Sequence, residues 1–127
     1  MDFSNYLANK LISATVRNQP YTTPDKVYLA LYTTDPTKDN AGDEVDQVSY
    51  IRQEVTFTVP ENGVATNDSQ INWATATTNW GNVGWVAIMD DSTSGNMLYF
   101  AGLDNPKAIL TGDQFRINVN KLQLTLT

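Results

Sequence analysis

The chain has 127 residues, of which 41% are hydrophobic, 10% aromatic and 17% charged, and its formal net charge is −6. A chain of this length can bury enough apolar surface to fold as one domain without a metal or a disulfide. It contains no cysteine and no histidine, which excludes disulfides, thiolate metal sites, a cysteine nucleophile and a Ser-His-Asp triad.

The distribution of charged and apolar residues argues against nucleic acid and membranes as partners. The eight lysines and arginines are scattered, whereas non-specific nucleic-acid binding needs a basic surface. No segment approaches the ~20 consecutive apolar residues of a membrane span. The N-terminus has an early acid and no long apolar run, so we expect no signal peptide and no export by the usual route.

Residues 3–17 have the periodicity of an amphipathic helix. Phe3, Leu7 and Leu11 are four residues apart, as expected for one face of a helix. The sequence NQP at 18–20 ends the pattern, because proline disfavours helical geometry in the residue before it. We expect this helix either to cover one face or end of a sheet, or to act as an arm that packs on a neighbouring subunit.

The rest of the chain has the pattern of strands and turns. In KVYLALYTT, residues 26–34, both faces are apolar, which predicts a strand that is covered on both sides. Residues 50–59 and 121–127 alternate apolar and polar side chains, as half-exposed strands do. Further strand-like segments are the stretch with Ile71 and Trp73 in phase, and residues 79–91, 97–103, 108–110 and 114–119.

These segments predict a mainly β protein. With one N-terminal helix and about seven to nine short strands, we expect a single-domain antiparallel β-sandwich, jelly-roll-like, over residues 1–127.

A polar loop, DPTKDNAGDEVD, spans residues 35–46 and has five acids and one lysine. Carboxylate oxygens are ligands that Ca²⁺ prefers, but their spacing here does not match an EF-hand. A solvated acidic loop is therefore the favoured interpretation, and a calcium site is the alternative. We assign no cofactor and no metal.

Two other groups of side chains bear on function. Asp90 and Asp91 are adjacent, and neighbours in a strand point to opposite faces, so a turn is favoured over acid–base catalysis. Trp73 and Trp85 are in phase with apolar neighbours, which favours the core. Trp80 lies between an asparagine and a glycine, and we expect it to be exposed and to be the candidate sugar contact.

The order of several segments resembles a family of small tailed-bacteriophage virion proteins. The most specific segments are YLALYTTDPT at 28–37, YIRQEVTF at 50–57, WGNV and VAIMD within 80–90, and the terminal GDxxR and LxLTL. Members of that family are labelled tail-fibre proteins, and related small proteins act as capsid cement, or decoration, proteins. The resemblance implies a fold and a virion role, and it carries over no catalytic residue. The 38–48 loop departs from the family pattern by being longer and more acidic.

This resemblance implies a structural virion component without enzymatic activity. We expect a capsid cement protein on the capsid surface that binds the major capsid protein, is made in the host cytoplasm and forms a dimer or trimer. The alternatives are a tail-fibre or minor tail protein that binds other tail proteins, and a carbohydrate-binding adhesion module. The candidate partner contacts lie in the helix and the acidic loop: Phe3, Tyr6, Asp35, Asp39, Asp43, Glu44 and Asp46.

Overall fold

The computed structural model describes residues 1–126, within which there are one α-helix and nine β-strands. The elements are β1 (Asp2–Phe3), α1 (Asn5–Val16), β2 (Val27–Tyr32), β3 (Gln53–Val55), β4 (Val64–Thr66), β5 (Ile71–Asn72), β6 (Gly81–Met89), β7 (Met97–Ile109), β8 (Arg116–Ile117) and β9 (Gln123–Thr125). The prediction of a mainly β, antiparallel, sandwich-like fold with one helix is confirmed. Within this part of the chain, no helix is both long and apolar enough to cross a bilayer.

A five-stranded antiparallel sheet with the order β1-β7-β6-β2-β3 forms the centre of the structure. β6 and β7 form a long hairpin, and β2 pairs with the other side of β6. Two ribbons, β4–β9 and β5–β8, have two strands each. Ile71 and Ile117 of the β5–β8 ribbon, and Leu122 just before β9, join the core on one face of the central sheet, which gives the sandwich-like arrangement.

The strand β2 is buried on both faces, as its sequence predicts. Leu29 and Leu31 belong to the larger apolar cluster, under the ribbons and the helix, whereas Ala30 and Tyr32 belong to a smaller cluster on the opposite face. All four side chains are at most 2% exposed. Because each face has its own cover, every position of this strand needs an apolar or amphipathic side chain.

The helix is shorter than the predicted range of 3–17. Phe3 pairs with Tyr99 as part of β1, and Ser4 caps the helix by accepting a hydrogen bond from the Leu7 amide at 3.0 Å. Leu7 is also the one fully buried residue of α1. Twelve residues form a marginal helix in water without tertiary packing, so the contacts around Leu7 anchor this element.

The strand β7 extends through residues 104–107, DNPK, whose residue types are typical of a turn. The ladder with β6 shifts register there: Trp85 pairs with Gly102, but Val83 pairs with Lys107. The intervening residues of β7 include Pro106, and an irregularity of this kind is where a strand tolerates a proline. Pro106 and its neighbours in the sequence therefore mark a bulge within one long strand and not a turn.

Two other predicted strands are shorter than expected. Only 53–55 of the predicted 50–59 pair as a strand, and only 123–125 of the predicted 121–127; residue 127 lies outside the described residues.

Candidate docking surfaces

The acidic loop, residues 35–46, lies across the smaller apolar cluster. At one edge of the sheet it runs beside β2, where the Val45 amide donates to the Leu31 carbonyl at 2.9 Å. In its middle it reaches the helix start beside the opposite edge, where the Asn5 amide donates to the Lys38 carbonyl at 2.9 Å. Between them the Tyr32 hydroxyl donates to Asn40 Oδ1 at 2.6 Å. The loop is thus a fixed cover of the second sheet face.

The five loop acids do not converge on one point. Asp35 accepts a hydrogen bond from the Thr37 amide, and Asp39 accepts one from the Asn5 side chain. Among the described residues, no group of three or more acidic side chains is placed to hold a metal ion. The geometry gives the calcium alternative no support.

Glu44 differs from the other acids of the loop because it belongs to a hydrogen-bond network. Its carboxylate accepts two hydrogen bonds from Arg52, each 2.8 Å long, and a third from the Tyr50 hydroxyl at 2.6 Å. The same Arg52 donates to the carbonyls of Asp91 and Ser94, at 2.9 and 2.8 Å. One guanidinium therefore ties the acidic loop, the chain before β3 and the β6–β7 turn together.

Two tyrosines beside this network have raised pKa values, mainly because they are buried. Burial, with the nearby Glu44 charge as a smaller contribution, raises the pKa of Tyr32 to about 12. Burial likewise raises the pKa of Tyr50, and Glu44 adds to it by its charge and by accepting the hydroxyl hydrogen bond. Both phenols are therefore held in the neutral form.

The raised pKa values predict a loss of stability in alkali. The unfolded chain ionises its tyrosines near pH 10, whereas folded Tyr32 keeps its proton to about pH 12. The contribution of Tyr32 to stability is therefore complete below about pH 10 and is lost as the pH rises towards 12. Urea unfolding measured across this range should show the decline, and Tyr32→Phe should make it shallower. Folded protein in which all six tyrosines ionise near pH 10 by ultraviolet absorbance would contradict this.

Gly42 lies where the acidic loop packs tightly against the backbone of its own first two residues. A Cβ at this position would lie 2.5 Å from the Asp35 carbonyl oxygen and 2.8 Å from the Pro36 Cα. Because both are backbone atoms, we expect Gly42→Ala to lower the free energy of unfolding by about 1–3 kcal/mol through overpacking. Gly84→Ala is the matched control, since its Cβ would meet only the Pro106 ring at an ordinary 3.7 Å. Equal denaturation midpoints for the two variants would refute the assignment.

The structure brings two of the predicted partner contacts together at the helix start. The Tyr6 ring and Asp39 line a hollow of about 280 Å³, which continues to the β6–β7 turn at Gly95 and Asn96. Phe3 instead packs on Tyr99, with ring centroids 5.4 Å apart.

The other predicted contacts lie elsewhere. Glu44 and Asp46 line a second hollow with Arg52, while Asp35 and Asp43 are exposed near the end of β2. The predicted contacts therefore form no single site.

The expectation that Trp80 is the exposed tryptophan is wrong. Its side chain is 4% exposed, its Nε1 donates to the Ser49 hydroxyl at 3.0 Å, and Tyr50 packs edge-on against its ring. The flanking asparagine and glycine indicate a loop, but the Trp80 amide donates to the Ile109 carbonyl. That bond continues the β6–β7 hairpin and turns the indole into the core, where it has no open face for a sugar.

Exposed apolar side chains are the surface feature that the sequence reasoning missed. Ile12 and Val16 lie on the outer face of α1 and are 58% and 75% exposed. Val48 and Ile51, in the segment after the acidic loop, are 92% and 67% exposed. The available signal was an apolar residue inside a polar segment, as in DQVSY at 46–50.

Both pairs of exposed apolar residues lie within the part of the chain that matches a known family. The sequence model of the family described as "Podophage GP4 fiber I protein gp80" matches residues 2–125. The chain belongs to this family. As a member of the fiber I gp80 family, it is a structural phage protein of the fibre type and a virion component, which confirms the resemblance stated from the sequence. No protein with a curated description matches the chain.

Proposed function

We propose that this fiber I gp80 family member is a non-enzymatic subunit of the tail-fibre apparatus that acts through protein–protein contacts. The observation that carries the proposal is the family match over residues 2–125. The exposed Ile12, Val16, Val48 and Ile51 support it, because exposed apolar surface of this kind is available for a partner to bury. The network at Arg52 fixes the acidic loop in advance, so little conformational entropy is lost when the subunit docks.

A capsid cement role is the second candidate. The architecture favours it, because the helix has only 12 residues and the strands form a layered β structure. The sequence also has no heptad pattern, which a coiled-coil fibre shaft would require. A cement protein binds a lattice in many copies, so that a modest interface is strengthened by avidity.

A particle-binding experiment separates the two locations. Purified protein is mixed with tailless expanded capsid shells, and in parallel with tailed particles that lack it, and bound copies are counted after sedimentation. Binding to the tailed particles alone, in a small fixed number, supports the fibre role. Saturation of the shells at one copy per lattice position supports cement and overturns the fibre proposal.

Carbohydrate binding is a third candidate, with Tyr6 as the aromatic side chain that would contact the sugar. Its ring lies beside Asp39 and Asn40 in the hollow at the helix start, which places an aromatic next to polar groups as sugar sites do. A glycan array tests this directly. Binding that Tyr6→Ala abolishes and Tyr28→Ala preserves would support it, and an array without any bound glycan would end it.

A further inference from the structure

The turn that leads into β4 consists of an asparagine followed directly by a glycine. Asn62 and Gly63 lie between Glu61 and Val64, whose backbones exchange two hydrogen bonds of 3.0 and 2.9 Å. Both central residues have a positive φ, 52° at Asn62 and 76° at Gly63. This is the geometry of a two-residue type I′ turn, for which Asn-Gly is a preferred pair. Residues 59–63 are all exposed.

The neighbouring strand fixes the glycine of this pair. The chain just after β9 lies against it, where the Leu126 amide donates to the Gly63 carbonyl at 2.8 Å. A Cβ at Gly63 would collide with the Leu126 carbonyl oxygen, and the positive φ would strain any other residue. The fold therefore keeps a glycine after Asn62, although this neighbour makes the asparagine chemically labile.

An asparagine followed by glycine can convert without any cofactor or oxidant. The Gly63 backbone nitrogen attacks Asn62 Cγ, and the new C–N bond closes a succinimide ring. The Cγ–Nδ2 bond breaks, and the nitrogen leaves as ammonia with the proton of the Gly63 amide. Water then opens the ring at either carbonyl carbon. The product is aspartate, or isoaspartate, in which the main chain runs through the side-chain Cβ and Cγ.

The surroundings of Asn62 single it out for this reaction. It is the one asparagine among the thirteen of the chain that a glycine follows, and glycine hinders the attack least because it has no side chain. Among the described residues, the Gly63 amide has no hydrogen-bond acceptor. Asn67, by contrast, is fully buried, and both ends of its side-chain amide are hydrogen-bonded.

Ring closure takes place while the turn is open. It requires rotation about the Asn62 Cα–C bond, out of the left-handed geometry of the turn. Exposed segments with few buried contacts open locally at a small free-energy cost, and residues 59–63 have that character. We therefore expect conversion in the folded protein, at a lower rate than in the unfolded chain.

Isoaspartate changes the turn more than aspartate does. It inserts an extra carbon into the main chain of a two-residue loop, and the length of such a loop sets the register of the strands that follow. Val64 begins the strand β4, whose partner is β9. An altered turn therefore disturbs the Glu61–Val64 pair and the Leu126–Gly63 hydrogen bond together.

We propose that Asn62 is a site of spontaneous modification in the folded protein, and that its conversion to isoaspartate loosens the pairing of β4 with β9. This inference goes beyond the proposed structural role, and it holds for a fibre subunit and for a cement protein alike.

Peptide mapping by mass spectrometry tests the site. Folded protein is incubated at mildly alkaline pH, where base assists the loss of the Gly63 amide proton, and a sample in urea shows the rate for the unfolded chain. Asn62 should convert at least tenfold faster than every other asparagine, with isoaspartate as the main product. Asn62→Gly is the control, because glycine keeps the turn geometry and lacks the reactive amide. A folded Asn62 that stays unchanged while the urea sample converts would overturn the proposal.

Amide hydrogen exchange tests the structural consequence. The converted protein carries one more negative charge and can be separated by anion exchange. In it, the Val64 and Leu126 amides should exchange at least tenfold faster than in fresh protein. The Trp73 amide, which donates to the Phe115 carbonyl in the other ribbon, should be unaffected. Unchanged exchange at Val64 and Leu126 in the isoaspartate form would show that the turn does not control this pairing.

Discussion

Replacing Arg52 with alanine is expected to lower the free energy of unfolding by about 3–5 kcal/mol, the cost of breaking a largely buried ion pair from one side. The Arg52 side chain is 8% exposed, and its partner Glu44 is 24% exposed. Truncation leaves the Glu44 carboxylate with the Tyr50 hydroxyl as its remaining close donor. It also frees the carbonyls of Asp91 and Ser94. Urea denaturation followed by tryptophan fluorescence measures the loss.

Arg116→Ala is the control for the Arg52 variant. Arg116 is exposed and makes one long hydrogen bond, of 3.4 Å, to Gln114, so its removal should change stability by less than about 0.5 kcal/mol. Arg52→Lys should fall between them, because an ammonium keeps the charge but loses the forked geometry that holds both Glu44 oxygens and two carbonyls. Equal stability of the two alanine variants would show that the network does not hold the loop.

Trp73→Ala is expected to cost about 3–5 kcal/mol, the range for deleting a large aromatic side chain from a core. Trp73 is 1% exposed and packs edge-on against Phe115, with ring centroids 5.3 Å apart. It joins the β5–β8 ribbon to the central sheet, and its amide donates to the Phe115 carbonyl at 3.0 Å. Thermal unfolding should show a large fall in the midpoint.

Trp73→Phe gives this prediction a sharper form. The Trp73 Nε1 has no hydrogen-bond partner among the described residues, and a buried unpaired donor costs about 1–3 kcal/mol. Phenylalanine removes that donor while keeping an aromatic ring, so its loss should be clearly smaller than that of alanine. Trp85→Ala is the control, since Trp85 is half-buried on the smaller cluster. A Trp73→Ala protein as stable as the Trp85→Ala protein would contradict the assignment.

Stability and the proposed protein–protein contacts involve different residues, so the tests of the two are separable. Arg52 and Trp73 act inside, and their loss is read as unfolding. Val16 and Val48 are 75% and 92% exposed, and substitutions at such positions usually change stability little. A phage-assembly defect in a Val48 variant with a normal unfolding curve would therefore report a lost contact rather than a lost fold.

Hydrophobic periodicity predicted the central features of the fold, because the buried positions of a strand or helix can be read from the pattern of that segment alone. Residues 26–34 are apolar on both faces, and β2 is covered on both. The period of residues 3–17 predicted α1, with a start that shifted because pairing with β7 makes Phe3 part of a strand. The candidate contacts were less predictable. In the sequence Glu44 resembles any other acid of a solvated loop, and its structural role follows only from its hydrogen bonds with Arg52 and Tyr50.

The amino-acid sequence by itself determined the mainly β class, the N-terminal helix, the two-sided burial of β2 and the phage family, because these depend on local period and on the order of segments. Only the tertiary structure decided that Trp80 is buried, that residues 104–107 continue a strand, and that the acidic loop covers a sheet face. It also decided which apolar side chains remain in water. Each of these depends on which distant segment of the chain lies alongside, and such long-range hydrogen bonds produce no periodic pattern in the sequence.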